Sequence, residues 1–241
     1  TKAGIRILKD SKVEEIDLED QNVTIKISNK SDHSSIKAEQ VLVAIGFTPN
    51  IEGLGLNSMG VKKDSQGFVQ VNDSMSTNIE NVYAIGDVTG KLLLAHVASA
   101  QGIVAAETIA GHPTVKLNYK MMPKATYCYP EVASFGYTES EAQEAGYNTR
   151  VSKFRFSANG KALSLGDHGG WIKIVSDDKH HDILGAHMIG PQVTELLPEL
   201  SLAYNAELTA EDIARNIHAH PTLSEAIMET AQGLVDKTIH S

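Results

Sequence analysis

A lone cysteine, Cys128, means that no disulfide can close within these 241 residues and that no cysteine-based zinc site can assemble. Such usage suits a reducing compartment, either the cytoplasm or the matrix or stroma of an organelle. Long apolar runs are missing too. The longest candidate, Lys91 to Ala100, is broken by His96 and Ser99 and falls short of the roughly 18 residues of a membrane helix, so no membrane is expected as a partner. Positive charge is in deficit: 21 Lys and Arg face 30 Asp and Glu, a formal net charge of −9. With those cations scattered along the sequence, nucleic acid is not an expected partner. Ten histidines include the close pairs His218-x-His220 and His180-His181, yet neither H-E-x-x-H nor a carboxylate cluster accompanies them, and no metal site is expected. There is no G-x-S-x-G elbow for a hydrolase triad. Thr1-Lys2-Ala3-Gly4 has neither an initiating Met nor a signal-peptide pattern, so the chain reads as starting mid-protein.

What is present is enough for one large or two modest domains, since 41% of the residues are hydrophobic. Residues 1 to 40 read as β-rich. Ile5 to Leu8 and the alternating Val23, Ile25 and Ile27 predict half-buried strands, and Ser28 to Asp32 a polar turn. Val41 to Ile45, apolar throughout and followed by Gly46 and Pro49, predicts a strand buried on both faces. A second strand is expected over Asn81 to Asp87. There Gly86 allows close backbone approach, and Asp87 emerges at the carboxyl end, where open α/β sheets bind ligands. A helix from about His96 to Ala110 follows, with Gly111 as its stop. Its N-terminus carries about half a positive charge and should point at whatever Asp87 touches, while Gly102 in mid-helix implies a close neighbour.

Pro113 and Pro123 bracket the clearest boundary, with a new domain starting near Lys120. Strands are expected over Ala125 to Tyr129, Thr149 to Phe156, Trp171 to Ser176 and Ile183 to Ile189. A helix over Glu139 to Ala145 has Thr138 and Glu141 as its capping box, and three more helices begin near Val193, Thr209 and Thr222. Segregated strands and helices of this kind indicate an α+β layer. Cys128 reads as a buried small residue, His187 as a core or interface histidine, and His180-His181 as a solvated turn.

The string His218-Ala219-His220-Pro221-Thr222-Leu223-Ser224-Glu225 carries the densest chemistry. Pro221 biases His220 towards an extended conformation. Thr222 and Glu225 form an S/T-x-x-E capping box ahead of the amphipathic run Ala226, Ile227, Met228, Ala231, Leu234 and Val235. Two readings stay open here. Either this is a well-made helix start, or the Glu225 carboxylate holds His220 as an acid/base.

The same string resembles the C-terminal signature of the flavin disulfide reductases. Val41 to Asn50 resembles their crossing segment, although Phe47 stands where many relatives carry Arg. Thr77, Tyr83-Ala84-Ile85-Gly86-Asp87, Leu94-Ala95-His96 and Ala98-x-x-x-Gly102 resemble their second FAD motif. Pro130 to Ala133, Gly136 to Glu139 and Gly185 to Pro191 resemble their dimerisation domain. The resemblance covers essentially all 241 residues, but only the last half of a full member. It implies the α/β remainder of an FAD/NAD(P)-binding domain followed by an α+β dimerisation domain. The implied boundaries are 1–40 for the end of the nicotinamide-binding domain, 41–119 for the FAD-binding remainder and 120–241 for dimerisation.

Carried over by residue, the resemblance makes His220 the acid/base that serves a cysteine pair and Glu225 the residue that orients it. Gly46, Gly86, Asp87, Leu94, Ala95 and His96 become cofactor-binding. Within the family the chain is most similar to the branch that oxidises dihydrolipoyl groups of 2-oxoacid dehydrogenase or glycine cleavage complexes, through FAD, to NAD. That implies a homodimer with lipoyl domains as partners. A glutathione or mercuric reductase-like enzyme is the alternative, and a third reading is a dimerisation module without activity. The sequence holds neither a Gly-rich FAD loop nor a C-x4-C pair, so these residues alone are expected to be inactive and to hold FAD weakly or not at all.

Overall fold

The computed structural model describes residues 4–19, 21–30 and 32–240. The first three residues of the N-terminal tetrapeptide, Ser31 of the expected turn and Ser241 lie outside the described residues. The chain divides into two compact units, Thr1–Thr48 and Pro49–Ser241.

The first unit is an antiparallel meander of β1 (Lys12–Glu19), β2 (Asn22–Asn29) and β3 (Asp32–Ala38) in the order β1-β2-β3. The alternation of Val23, Ile25 and Ile27 sets its register, with Ile25 lying opposite both Ile16 and Ile36. On β2, Lys26 reaches Glu15 at 2.7 Å and Asp17 at 2.9 Å. Two expectations fail in this unit. Ile5 to Leu8 forms no strand, and β1 lies further along. Val41 to Ile45 forms no strand either, and Leu42 and Ile45 are 91% and 95% exposed. A strand buried on both faces needs a ladder on each edge. No ladder among the described residues reaches this one.

The second unit opens with turns and isolated bridges, Lys63 to Val69 and Ser76 to Tyr83. The strand expected over Asn81 to Asp87 is reduced to that single bridge at Tyr83, and Gly86–Thr89 winds into a short 3₁₀ turn. Helix α1 (Ala95–Ile109) packs on this turn, close to its expected span. A Cβ on Gly102 would lie 3.5 Å from Ile85 Cδ1, so the mid-helix glycine does face a close neighbour.

Beyond Pro123 a five-stranded antiparallel sheet forms in the order β4-β5-β8-β7-β6. Its strands are β4 (Lys124–Thr126), β5 (Glu131–Gly136), β6 (Thr149–Arg155), β7 (Trp171–Asp177) and β8 (Ile183–Gly190). The helices are α2 (Glu139–Glu144), α3 (Gly160–Leu165), α4 (Val193–Asn205), α5 (Ala210–Arg215) and α6 (Glu225–Val235). Period-2 patterning turns Phe135, Phe154, Ile172, Ile174 and Met188 to one face, where they meet Leu197 and Leu200 of α4 and Ile227 and Leu234 of α6. Each such buried side chain contributes about 1.5–3 kcal/mol. This is the α+β layer that the sequence implies. The expected strand at Ala125 to Tyr129 stops at Thr126, while β5 and α3 are not among the expected elements. Strands β5 and β8 approach so closely that a Cβ on Gly185 would sit 2.3 Å from the Tyr137 carbonyl oxygen.

Candidate active site

The loop between α5 and α6 carries His218 and His220, and the two side chains meet different surroundings. The His218 side chain is 4% exposed and that of His220 is 77% exposed. His218 is fixed at both nitrogens: Nδ1 lies 2.9 Å from the Asn216 carbonyl oxygen and Nε2 lies 2.8 Å from Glu199 Oε1 on α4. This pins the loop to the helical layer and leaves His220 facing out. His220 Nδ1 sits 2.9 Å from Glu225 Oε1, at the first residue of α6.

The two readings of Glu225 turn out to be compatible, because its two oxygens divide the work. Oε1 meets His220, and Oε2 accepts the Thr222 backbone N–H at 2.7 Å. The other half of the expected box is missing. Helix α6 starts after Ser224, and the Thr222 hydroxyl donates to the Ala219 carbonyl at 2.7 Å instead of capping. Partial burial acts to raise the Glu225 pKa, but the Thr222 N–H and the bond from His220, with the charge of His218 nearby, outweigh it and hold the carboxyl below its ordinary 4.5. An ionised carboxylate at Nδ1 keeps the proton there, so Nε2 presents a lone pair and the ring can accept a proton at its exposed side.

A second arrangement surrounds Gly86. Its backbone has φ +75°, and its N–H donates to Gln101 Oε1 at 2.6 Å. Gln101 is fully buried in α1 and donates in turn to the Tyr119 hydroxyl at 3.0 Å. Sequence reasoning passes over Gln101, whose amide sets the turn that exposes Asp87. Helix α1 follows Leu94, which gives no side-chain cap, and has no acidic residue in its first turn. Leu94 is half-buried, Ala95 and His96 are exposed, and His96 Nε2 lies 2.8 Å from the Pro123 carbonyl oxygen. An uncapped helix start beside an exposed aspartate provides donors for an anionic group and an acceptor for hydroxyls. Gly46 lies in the first unit.

Other expectations need correction. Cys128 is exposed rather than buried, with its Sγ 3.1 Å from the Pro130 carbonyl oxygen. His180 is exposed as expected of a solvated turn, whereas His181 is half-buried and pairs with Glu211. His187 is half-buried in β8, with Nε2 2.9 Å from the Tyr137 carbonyl oxygen. A cavity of about 610 Å³ opens beside Tyr147, Asp182, Tyr204 and Glu207 and includes no residue of the His220 loop. Among the described residues no helix is long and apolar enough to cross a membrane.

An antiparallel sheet layered with helices, preceded by a glycine turn on a helix start, has the fold of the flavoprotein disulfide reductases. The crystal structure of LpdA from Mycobacterium tuberculosis superposes with a TM-score of 0.89 at 24% identity, covering 97% of this chain and 50% of that one. The HOCl-induced flavoprotein disulfide reductase RclA from Escherichia coli gives 0.82 at 23%, covering 92% and 50%. The pattern described as "Pyridine nucleotide-disulphide oxidoreductase" matches residues 1–102, and its dimerisation domain matches 122–231. The chain belongs to the pyridine nucleotide-disulphide oxidoreductase family, whose members are flavin and nicotinamide enzymes.

Among its curated relatives are the dihydrolipoyl dehydrogenases of Mycobacterium leprae, 51% identical over 99% of this chain and 51% of that protein, and of Mycobacterium tuberculosis, 50% identical over 99% and 52%. That of Bacillus subtilis is 43% identical over 98% and 49%. The chain thus spans about half the length of the curated relatives it matches.

Proposed function

We propose that this chain is part of a homodimeric dihydrolipoyl dehydrogenase that uses FAD and NAD, with lipoyl domains of multienzyme complexes as its partners. The observation that carries this reading is the exposed His220 ring held at Nδ1 by a carboxylate that is itself anchored to the Thr222 backbone. In this role Nε2 of His220 takes the proton of a dihydrolipoyl thiol, so that the thiolate can attack a disulfide. Glu225 stabilises the resulting imidazolium without itself accepting the proton. With only Cys128 in the chain, that disulfide belongs to the rest of the parent protein.

The turn at Gly86 fits a flavin nucleotide on this chain's own features. Asp87 would bind the ribityl hydroxyls, and the uncapped start of α1 at Leu94, Ala95 and His96 would face the anionic edge of the ring. When bound, the flavin supplies the two-electron relay between thiols and nicotinamide. Gly46, on the extended segment before Pro49, is a further cofactor contact in this reading. The proposed domain limits remain 1–40, 41–119 and 120–241.

The identities of 50–51% to proteins named dihydrolipoyl dehydrogenase favour the lipoyl reading over a glutathione or mercuric reductase. Steady-state assays of the full-length parent decide between them. Oxidation of dihydrolipoamide with NAD is expected, without turnover of oxidised glutathione or mercuric ion. Preference for either of the latter would replace the reading with a sister activity.

A further inference from the structure

A row of side chains crosses all five strands of the large sheet, on the face turned away from α4 and α6. Register places Lys153 of β6 opposite Lys173 of β7, Lys173 opposite His187 of β8, His187 opposite Ser134 of β5, and Ser134 opposite Lys124 of β4. Directly paired residues share a face of the pleat, and the intervening Ala133, Phe154, Ile172 and Met188 fill the core on the other side. Two residues along, Arg155, Trp171, Ile189 and Val132 form a parallel row on the same face. Helix α2 covers only the far end, where Ala142 packs with Val175 and Val151. Lys124, Lys153, Arg155 and Val132 are exposed, and Lys173, Trp171 and Ile189 half-buried.

The row is electrostatically uncompensated. Like charges directly across a strand pair repel, and Lys153 and Lys173 are such a pair. Among the described residues no carboxylate makes an ion pair with Lys124, Lys153, Lys173 or Arg155. The neighbouring Glu141 of α2 is committed to Lys120 at 2.6 Å and to the Thr138 N–H at 2.8 Å. Lys153 lies over the Trp171 ring, 4.2 Å from its centroid. His187 adds no cation near neutrality: burial foremost, with Lys173 pushing the same way, lowers its pKa below 6.5 against the opposing bond to Tyr137. A chain of net charge −9 thus gathers unpaired cations on one face beside an apolar strip.

We propose that this face docks an acidic polypeptide segment that carries apolar side chains next to its carboxylates. Neighbouring strands are about 4.8 Å apart, so Lys173 and Lys124, three strands distant, are about 14 Å apart. That span is too wide for one small anion, and close to the separation of residues four apart in an extended chain. The strip of Val132, Ile189 and Trp171 offers apolar contact that a polypeptide supplies and a bare phosphate backbone does not. The surface shares no residue with the His220 loop and stands whatever that loop does.

Trp171, the only tryptophan, reports on the face directly. The test titrates the 241-residue chain with a dye-labelled amphipathic peptide, glutamate on one face and leucine on the other, reading peptide anisotropy and Trp171 fluorescence together. Saturable binding that weakens with salt is expected, reduced about tenfold or more in K153Q/K173Q and retained in K153R/K173R. A lysine-for-glutamate version of the peptide should not bind. Circular dichroism should show the glutamine variant folded, with a melting temperature unchanged or raised as the repulsion is relieved. Absence of saturable binding, equal affinity in the glutamine variant, or tighter binding of oligo-dT or phosphatidylserine vesicles than of the peptide would each overturn the proposal.

Discussion

Glu225 touches two partners, and each predicts a separate measurement. Its folded pKa lies below the ordinary 4.5, so the carboxylate's contribution to stability is complete above pH 4.5 and is lost as pH falls through the lowered folded value. Glu225→Gln should flatten the stability curve across that acidic window, read by denaturant melts at a series of pH values. It should also destabilise by about 1 kcal/mol, since an amide still accepts from Thr222 but less strongly. His218 behaves differently, because its ring is enclosed. His218→Leu leaves the half-buried Glu199 carboxylate without its donor and should cost about 1–3 kcal/mol in the same melts. A cost near zero would show that the pair does not pin the loop. The dyad of His220 and Glu225 is legible in the sequence because its members lie five residues apart around a proline. The pair of His218 and Glu199 is not, because nothing local announces a partner 19 residues away on α4.

At the scale of the element, the tight crossing of β5 and β8 rests on glycine. Gly185→Ala would drive a methyl to 2.3 Å from the Tyr137 carbonyl, where backbone rather than a movable side chain must shift. A loss of several kcal/mol, or failure to fold, is expected by circular dichroism. On β8, His187 resists protonation because it is half-buried. The unfolded chain therefore binds its proton more readily, and stability falls as pH drops from 6.5 towards the lowered folded value. His187→Gln should remove that slope. Elements with complete local codes are the ones the sequence reveals: Thr138 and Glu141 form both halves of their capping box, and so do Thr209 and Asp212. Val41 to Ile45 and Asn81 to Asp87 are apolar enough to read as strands but form no ladder among the described residues, because pairing is a property of neighbours rather than of the run itself. Strand β5 goes unseen for the converse reason: Ser134 and Gly136 interrupt its pattern, and its stability comes from β4 and β8 on either side.

For the whole molecule, the exposed run at 41–47 and the absence of a Gly-rich loop predict that the purified 241-residue chain is colourless and inactive with dihydrolipoamide. A stoichiometric flavin spectrum would contradict this. The dimerisation layer leaves Tyr127, Tyr129, Leu202 and Ile217 at least two-thirds exposed, apolar area that a two-fold interface would bury. Sedimentation at high micromolar concentration should show a dimer, and a strictly monomeric species would count against it. The central claim concerns the acid/base in the assembled flavoprotein, and rapid mixing of full-length His220→Gln with dihydrolipoamide tests it most directly. With the flavin absorbance retained, flavin reduction should slow by about 10²- to 10⁴-fold, the loss expected when general acid/base catalysis is removed. Reduction at the wild-type rate in that variant would contradict the account.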